Sequence, residues 1–195
     1  MKRIPILGLA GAAGVIGVLL APLPLGSTHI YNSTVIERAP PEVFSYVTTP
    51  ANWPRWHPSS LSVSGATDHP LLVGEQVKED FVVAGYQGRV LWTVVQRQAP
   101  LRWAISGQIE DGGKGMVSYR LTQVNGGTKF EREFEYARPN LLFLLSDMLG
   151  IRARITAESA EALRRLKAVL EGTAPAVRTV SRVEVSAARL TSPRA

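Results

Sequence analysis

The sequence predicts an α+β fold, in which a curved antiparallel sheet of about seven strands packs against one long C-terminal helix. Two patterns support this prediction. Between Leu61 and Tyr136, apolar residues recur at every second position in segments separated by turn sequences such as Asn125-Gly126-Gly127, which is typical of an antiparallel meander. Between Leu141 and Glu171, apolar residues recur at steps of three, four and seven, which is typical of an amphipathic helix.

The segment before the meander is predicted to form one strand and two short helices. His29 to Glu37 is rich in β-branched residues and is the first predicted strand. Pro40 and Pro41 suit the first turn of a helix, so a short helix is predicted to begin there. The stretch Ala51–Ser60, ANWPRWHPSS, follows, and its prolines permit only a second short helix or a turn.

The last strand of the meander, Thr128 to Tyr136, indicates which face of the sheet is buried. Phe130, Arg132, Phe134 and Tyr136 fall on one face, whereas lysine and glutamate fall on the other. One face of the sheet is therefore predicted to be exposed to solvent and the other to be covered by the C-terminal helix.

The C-terminal helix has one predicted buried stripe and one predicted interruption. Gly150 is expected to kink or split the helix, and Gly172 to end it. The residues of the stripe are Leu145, Met148, Ile155, Ala162, Leu166 and Val169.

The two ends of the chain differ from the domain between them. Residues 1–27 are predicted to form a membrane anchor, because an apolar run from Ile4 to about Leu25 follows Lys2 and Arg3 and could cross a hydrocarbon core of ~30 Å. The positive-inside tendency would place the domain on the extracytoplasmic side; the alternative is a cleaved signal peptide and a secreted protein. Residues 28–172 form the predicted domain, and residues 173–195 a predicted disordered basic tail.

Composition excludes several kinds of chemistry. The chain has no cysteine, which excludes disulfides, thiolate catalysis and cysteine-ligated metals. Its three histidines lack metal-ligand spacing, so neither a metal nor a cofactor is predicted. The formal net charge is +6, but much of the excess lies at the two ends, and the wet face of Thr128–Tyr136 is acidic. Binding of nucleic acid is therefore not predicted.

Several segments resemble a known superfamily. They are VIERAPPEVFSYVTTPANWPRWHPSS, GEQV, APLRWAISG and NGGTKFEREFEY, and with the order of predicted elements they resemble the SRPBCC superfamily of START-like, or helix-grip, domains over about residues 30–171. Within it, the resemblance is to the polyketide cyclase/dehydrase and lipid-transport group. It implies a hydrophobic tunnel between sheet and long helix, with the loops and short helices near its mouth. No catalytic motif of a cyclase matches residue by residue, so no catalytic residue is predicted.

The candidate ligand-binding residues are mostly aromatic. Trp53 and Trp56 are three apart and would share one face of a short helix, where they cap the core, line the entrance, or both. His57 is assigned a structural or solvent-facing role, because the sequence names no partner that would orient it as a base. The full predicted set is Trp53, Trp56, Phe81, Trp92, Trp103, Tyr119, Phe130, Arg132, Phe134 and Met148.

Two charged residues fall in phase with apolar ones. Arg132 shares a strand face with Phe130 and Phe134, and Glu79 is in phase with Val77, Phe81 and Val83. An inward charge must be paired or must hold a polar group of a ligand, which suggests an inward Glu79–Arg132 pair. The alternative is that either residue sits near a strand end and reaches water.

These observations lead to three functional hypotheses. The first is a membrane-tethered, non-catalytic binder or carrier of a hydrophobic small molecule or lipid. The alternative is a cyclase, dehydratase or hydrolase acting on a polyketide-like substrate, for which Arg132 with Glu79 or Tyr119 is the candidate set. The third is an envelope accessory protein whose anchor and tail recruit a partner.

Overall fold

The computed structural model describes residues 16–23 and 25–172. In chain order the elements are β1 (Ser27–Ile36), α1 (Pro40–Thr48), α2 (Trp53–Trp56), β2 (Ser60–Gly65), β3 (Gln76–Val83), β4 (Tyr86–Gln98), β5 (Arg102–Ile109), β6 (Lys114–Val124), β7 (Gly127–Ala137), α3 (Leu141–Ser146) and α4 (Arg152–Leu170). A 3-10 turn (Pro50–Asn52) precedes α2, and a π-helical turn (Asp147–Ile151) joins α3 to α4.

The seven strands form one antiparallel sheet in the order β1-β7-β6-β5-β4-β3-β2. From β2 to β7 each strand pairs with the next, whereas β1 pairs with β7 along its whole length. Helix α4 contacts β1 and α2, and it buries Ile155, Leu163 and Leu166 in the core. The predicted α+β architecture, a curved antiparallel sheet with a C-terminal helix, is confirmed.

The two short helices after β1 are also confirmed. Helix α1 begins with two prolines and buries Val43, Phe44 and Val47. Helix α2 has only four residues, and it is tied to α1 because the Trp53 indole N–H donates to the carbonyl oxygen of Val47 at 2.9 Å. Trp53 and Trp56 are both buried.

The C-terminal helical region is split at Gly150, whose backbone is non-helical, as the sequence predicted. Just before it, Asp147 is 3% exposed and accepts two hydrogen bonds. One comes from the Thr28 hydroxyl at 2.7 Å, and the other comes from the Tyr136 hydroxyl. These bonds hold the turn between α3 and α4 against β1 and β7.

This split corrects the predicted apolar stripe. Ile155 and Leu166 in α4 are buried, but Leu145 is 42% exposed and Met148 is 74% exposed. The stripe was predicted as if α3 and α4 were one continuous helix, whereas the turn at Gly150 changes the course of the chain between them. The residues before the turn therefore do not continue the buried face of α4.

The two ends of the chain lie largely outside the described residues. Most of the predicted membrane segment falls in residues 1–15, and the predicted tail, residues 173–195, also falls outside. Within the described part of the chain, none of the helices combines the length and the apolar character needed to cross a membrane.

Candidate ligand-binding cavity

A cavity of about 590 Å³ lies between the concave face of the sheet, α2 and α4. Small-molecule sites in proteins usually enclose about 300 to 1,000 Å³. The sheet therefore encloses the hydrophobic space that the resemblance implies. The sheet lines the cavity with apolar and aromatic side chains, among them Phe81, Val83, Val90, Trp92, Ile105, Ile109, Val117, Tyr119, Phe134 and Tyr136.

The two ends of the cavity differ in exposure. At the end near α2, Trp53 and Arg132 are each 5% exposed and Trp56 is 1% exposed. At the other end, the β3–β4 turn, the β5–β6 turn and the β7–α3 connection meet the solvent, and the Tyr86 hydroxyl donates to Oδ2 of Asp111 at 2.6 Å across two of these turns. The mouth is therefore at the turns. The resemblance implied short helices near the mouth, but α2 lies at the closed end.

Most of the predicted ligand-binding residues converge on this cavity. Trp103 and Phe130 are fully buried behind the wall and do not line it, whereas Met148 lies on the surface because the helix is split. The predicted residues that line the cavity are Trp53, Trp56, Phe81, Trp92, Tyr119, Arg132 and Phe134.

Trp103 and Phe130 act on the cavity indirectly, by holding Tyr119 in its wall. The ring centroids of Trp103 and Tyr119 are 5.2 Å apart, and those of Tyr119 and Phe130 are 5.0 Å apart. Trp103 also meets the Trp53 ring edge-on at 6.3 Å. This aromatic cluster ties the closed end of the cavity to the core of the sheet.

Trp92 lies flat over its neighbouring strand because that strand carries a glycine. Gly107 is the partner of Trp92 in the β4–β5 register, and a Cβ atom at Gly107 would stand only 2.4 Å from the Trp92 ring. In this position the indole N–H donates to Oε2 of Glu79 at 2.6 Å. Gly107 therefore positions the group that orients Glu79.

Arg132 places a positive charge inside the cavity. Its Nη1 donates to Oγ of Ser159 on α4 at 2.8 Å, and its Cζ lies 5.7 Å from the centre of the Phe134 ring. Its Nε is buried and has no hydrogen-bond partner in the described part of the chain. Burial lowers the pKa of Arg132, and Tyr119 and Glu79 oppose this shift. A guanidinium nevertheless stays charged in proteins.

Glu79 faces Arg132 from the other side of the cavity. Strands β6, β5 and β4 separate β7 from β3 in the sheet, so the two side chains share one space only because the sheet is curved. Burial raises the pKa of Glu79, while polar neighbours, among them Trp92 and the charge of Arg132, oppose the shift. Both residues point inward, which is one of the two alternatives that the sequence left open. Glu79 accepts from Trp92 and Arg132 donates to Ser159, so the two charges form no direct pair.

His57 lines the cavity beside these charges. Burial lowers the pKa of His57 well below its ordinary value, and the charges of Arg132 and Arg165 add to this effect. The ring is therefore neutral at physiological pH. Its Nδ1 accepts from the backbone amide of Ser59 at 3.3 Å, and its Nε2 is buried with no hydrogen-bond partner in residues 16–23 and 25–172. The sequence assigned only a structural or solvent-facing role to this residue.

Two cavity residues of α4 were missed in the sequence. Ser159 accepts from Arg132, and its position four residues after the buried Ile155 was the available signal. Glu158 accepts from the Ser59 hydroxyl at 3.1 Å and from the Ala84 amide at 3.0 Å. Glu158 thereby links α4 to the segment after α2 and to the β3–β4 turn.

The polar groups of the cavity suit hydrogen bonding and proton transfer. In the described part of the chain, no three histidine or carboxylate side chains converge as metal ligands. The closed end instead combines a buried cation, a carboxyl group with a raised pKa and a neutral imidazole. Such a set can orient a polar group of a bound molecule, and it can also support acid–base chemistry.

Comparison with known proteins identifies the family. A family model described as polyketide cyclase/dehydrase and lipid transport matches residues 27–171. The chain belongs to this family. The match begins at β1 and ends after α4, so it includes the whole sheet, the long helix and the cavity. Among the curated proteins compared with the chain, none matches it.

Solved structures share the fold. A protein from Rhodobacter sphaeroides is 21% identical, with a TM-score of 0.57, and the alignment covers 74% of this chain and 93% of that protein. A protein from Chromobacterium violaceum is 15% identical, with a TM-score of 0.55 and coverage of 73% and 96%. DynU16, a protein from the dynemicin biosynthetic locus, is 18% identical, with a TM-score of 0.54 and coverage of 73% and 47%. At these identities the likeness concerns the fold alone.

Proposed function

We propose that this member of the family binds or carries a hydrophobic small molecule or lipid, without catalysing a reaction. The observation that supports this most is the enclosed cavity of about 590 Å³, whose walls are mainly aliphatic and aromatic. Burial of apolar surface is worth about 25 cal/mol per Å², so a long apolar ligand would leave water for this space. The family description, which includes lipid transport, agrees with the proposal.

The mouth of the cavity has features suited to a membrane surface. Leu142, Leu145, Met148 and Leu149 are exposed beside it, the last by 87%. Exposed apolar clusters of this kind often mark sites of membrane or protein contact. We call these four residues the apolar rim.

The path of the chain supports a tether at the same end. The amide of Leu23 donates to the carbonyl oxygen of Pro139 at 3.0 Å, and Pro139 lines the mouth. The apolar N-terminal segment thus approaches the domain beside the apolar rim. With that segment as an anchor, the domain would lie on the extracytoplasmic side and could exchange its ligand directly with the bilayer.

Native mass spectrometry of the full chain, extracted from its host's membranes, tests the proposed function. We expect a co-purifying lipid or other apolar molecule in the wild type. Ile109→Trp would fill the cavity and should remove that mass, whereas Val95→Trp, on an exposed position of β4, should retain it. A chain that binds no apolar molecule, or an equal load in both variants, would count against the proposal.

An enzymatic function is the alternative, and one observation favours it. Glu79 has a raised pKa and faces the positive charge of Arg132, an arrangement that could transfer a proton within an apolar site. If the protein is a cyclase or dehydratase, polyketide-like molecules should emerge chemically changed. Activity should then be lost in the Glu79→Ala, Arg132→Ala double variant. Unchanged ligands recovered from the wild type would support binding alone.

A further inference from the structure

We infer that the closed end of the cavity binds the carboxylate group of an apolar carboxylic acid, with Arg132 and His57 as hydrogen-bond donors. This inference rests on the proposed function and adds the chemical class of the ligand's polar group. It follows from an imbalance at the closed end, where donor nitrogens of Arg132, His57 and Trp56 are buried without a hydrogen-bond partner in the described part of the chain.

Arg132 is the strongest part of this imbalance. The side chain is 5% exposed, and its side-chain hydrogen-bond partners are the hydroxyl groups of Ser159 and Tyr119, which are uncharged. Its Nε has no partner in the described part of the chain. A buried charge that lacks both an ion pair and a full set of hydrogen bonds is costly to the folded state. A ligand anion would remove that cost.

His57 supplies a second donor whose direction can be assigned. Because the Ser59 amide donates to Nδ1, the neutral ring carries its proton on Nε2. That nitrogen is buried and has no partner among the described residues, and the residue lines the cavity. The indole Nε1 of Trp56, another lining residue, is also buried and lacks a partner within the part of the chain that the structure describes. All three unpaired nitrogens are donors.

The protein's own acceptors do not fill this role. Oε2 of Glu79 already accepts from the Trp92 indole, and Glu79 lies on the opposite wall of the cavity. Asn32 is the partner of Arg132 in the β1–β7 register, but its Oδ1 is likewise buried without a hydrogen bond. Among the described residues Arg132 thus has no direct ion pair, and a carboxylate has the charge and the acceptor geometry that match a guanidinium.

The geometry also assigns the orientation of the ligand. The donors lie at the closed end, and Phe81, Val117 and Phe134 line the walls between that end and the mouth. The carboxylate would enter first, and the hydrocarbon chain would extend toward the apolar rim. This orientation places every polar atom of the acid next to a donor and its apolar part against apolar side chains.

The test compares two molecules that differ only in their polar group. Dissociation constants of oleate and oleyl alcohol would be measured for the full chain at pH 8, below the concentration at which oleate forms micelles. We expect oleate to bind the wild type at least about tenfold more tightly than oleyl alcohol does, because only the carboxylate gains a charge-assisted hydrogen bond. Arg132→Met should remove this preference, whereas Arg120→Gln, at an exposed position of β6, should keep it.

Each outcome decides the inference. Equal or tighter binding of the alcohol by the wild type would overturn the carboxylate assignment while leaving the proposed function intact. Binding of neither molecule would overturn the inference and count against the proposed function as well. Because the wild-type comparison needs no substitution, a misfolded Arg132→Met protein would not prevent a decision. His57→Gln provides a second variant, in which the preference for oleate should become smaller.

Discussion

At the residue scale, burial in the cavity shifts the pKa of Arg132, His57 and Glu79 toward the uncharged form of each side chain. The pKa of Arg132 and of His57 is lowered, and the pKa of Glu79 is raised. Arginine remains charged in spite of this shift, whereas the shifts of His57 and Glu79 make the stability of the fold depend on pH. Their opposite effects on stability can therefore be measured.

The lowered pKa of His57 predicts a loss of stability on the acid side. The unfolded chain gains a proton as the pH falls below about 6.5, while the buried ring stays neutral until its lower folded pKa is reached. The free energy of unfolding should therefore fall with pH in that window, by at most roughly 1 kcal/mol per pH unit. His57→Gln should flatten this part of the curve in urea unfolding between pH 6.5 and 5.

A second histidine provides the control for that experiment. Asp68 and then Glu75 raise the pKa of the exposed His69, so its contribution to stability is present below pH 6.5 and is lost as the pH rises. His69→Gln should lower stability at acid pH, the opposite of His57→Gln. Parallel curves for the wild type and His57→Gln would refute burial of a neutral ring.

Glu79 predicts the reverse dependence on the neutral side. Because its folded pKa is raised above 4.5, its contribution is complete below that pH and is lost as the pH rises through the folded pKa. The free energy of unfolding falls in this window by at most roughly 1 kcal/mol per pH unit. Glu79→Gln should therefore gain stability over the wild type between pH 4.5 and 7 in thermal unfolding. Asp80→Asn should lose stability over the same range, because Ser62 and then Arg89 lower the pKa of Asp80.

The inward direction of Arg132 and Glu79 could be predicted from sequence, because each lies in phase with aromatic and aliphatic residues of its strand. The exposure of His57 to the cavity could not, because ANWPRWHPSS has no repeating period that assigns a direction to a side chain. The sequence also could not show that Arg132 lacks hydrogen-bond partners, because those partners are set by positions in space. They depend on which residues of β1, β3 and α4 approach it.

At the element scale, Asp147 holds the turn between α3 and α4 and thereby the apolar rim. Asp147→Ala would leave the buried hydroxyls of Thr28 and Tyr136 without their acceptor, which should cost about 1 to 3 kcal/mol. Asp147→Asn keeps one carbonyl acceptor and should cost less.

Chemical denaturation measures the loss of stability in the Asp147 variants, and hydrogen exchange should show faster opening of α3. Ser146→Ala, the preceding residue, is the matched control, and an equal loss in both alanine variants would argue against this anchor.

The elements differ in how well their sequences predicted them. Strict alternation located β7 and its buried face, because successive side chains of a strand point to opposite faces of the sheet. An odd or even position is therefore enough to assign a side chain to a face. The helical stripe failed before Gly150, because periodicity assumes a continuous axis, and the π-helical turn breaks that axis. The aspartate within LLFLLSDMLG was the signal that this segment is anchored rather than simply helical.

At the scale of the whole molecule, curvature determines the site. Glu79 and Arg132 lie on strands separated by three others, yet each shifts the pKa of the other. Sequence order predicts the neighbours of a strand in a meander but not the distance across a curved sheet. The location of the mouth was unpredictable for the same reason, because it depends on where three separate connections meet.

The last prediction concerns the apolar rim and the exchange of ligand with a bilayer. Met148 and Leu149 are 74% and 87% exposed beside the mouth, and the exposed Arg152 and Arg154 follow them. If the rim docks on lipid, the Met148→Ser, Leu149→Ser double variant should transfer a fluorescent fatty acid from anionic phosphatidylserine-containing vesicles several-fold more slowly. Its affinity for the same ligand in solution should be unchanged, because neither side chain lines the cavity.

The control for this variant is Val35→Ser, at an exposed position of β1 away from the rim, which should transfer ligand at the wild-type rate. Added salt should slow ligand transfer to the wild-type protein, because screening weakens the attraction of Arg152 and Arg154 to anionic headgroups. If the double variant transfers as fast as the wild type, the bilayer is not the partner of the rim. Protection of the rim by the N-terminal segment in hydrogen exchange would then identify that segment as its cover, and the mouth would have to open by moving it.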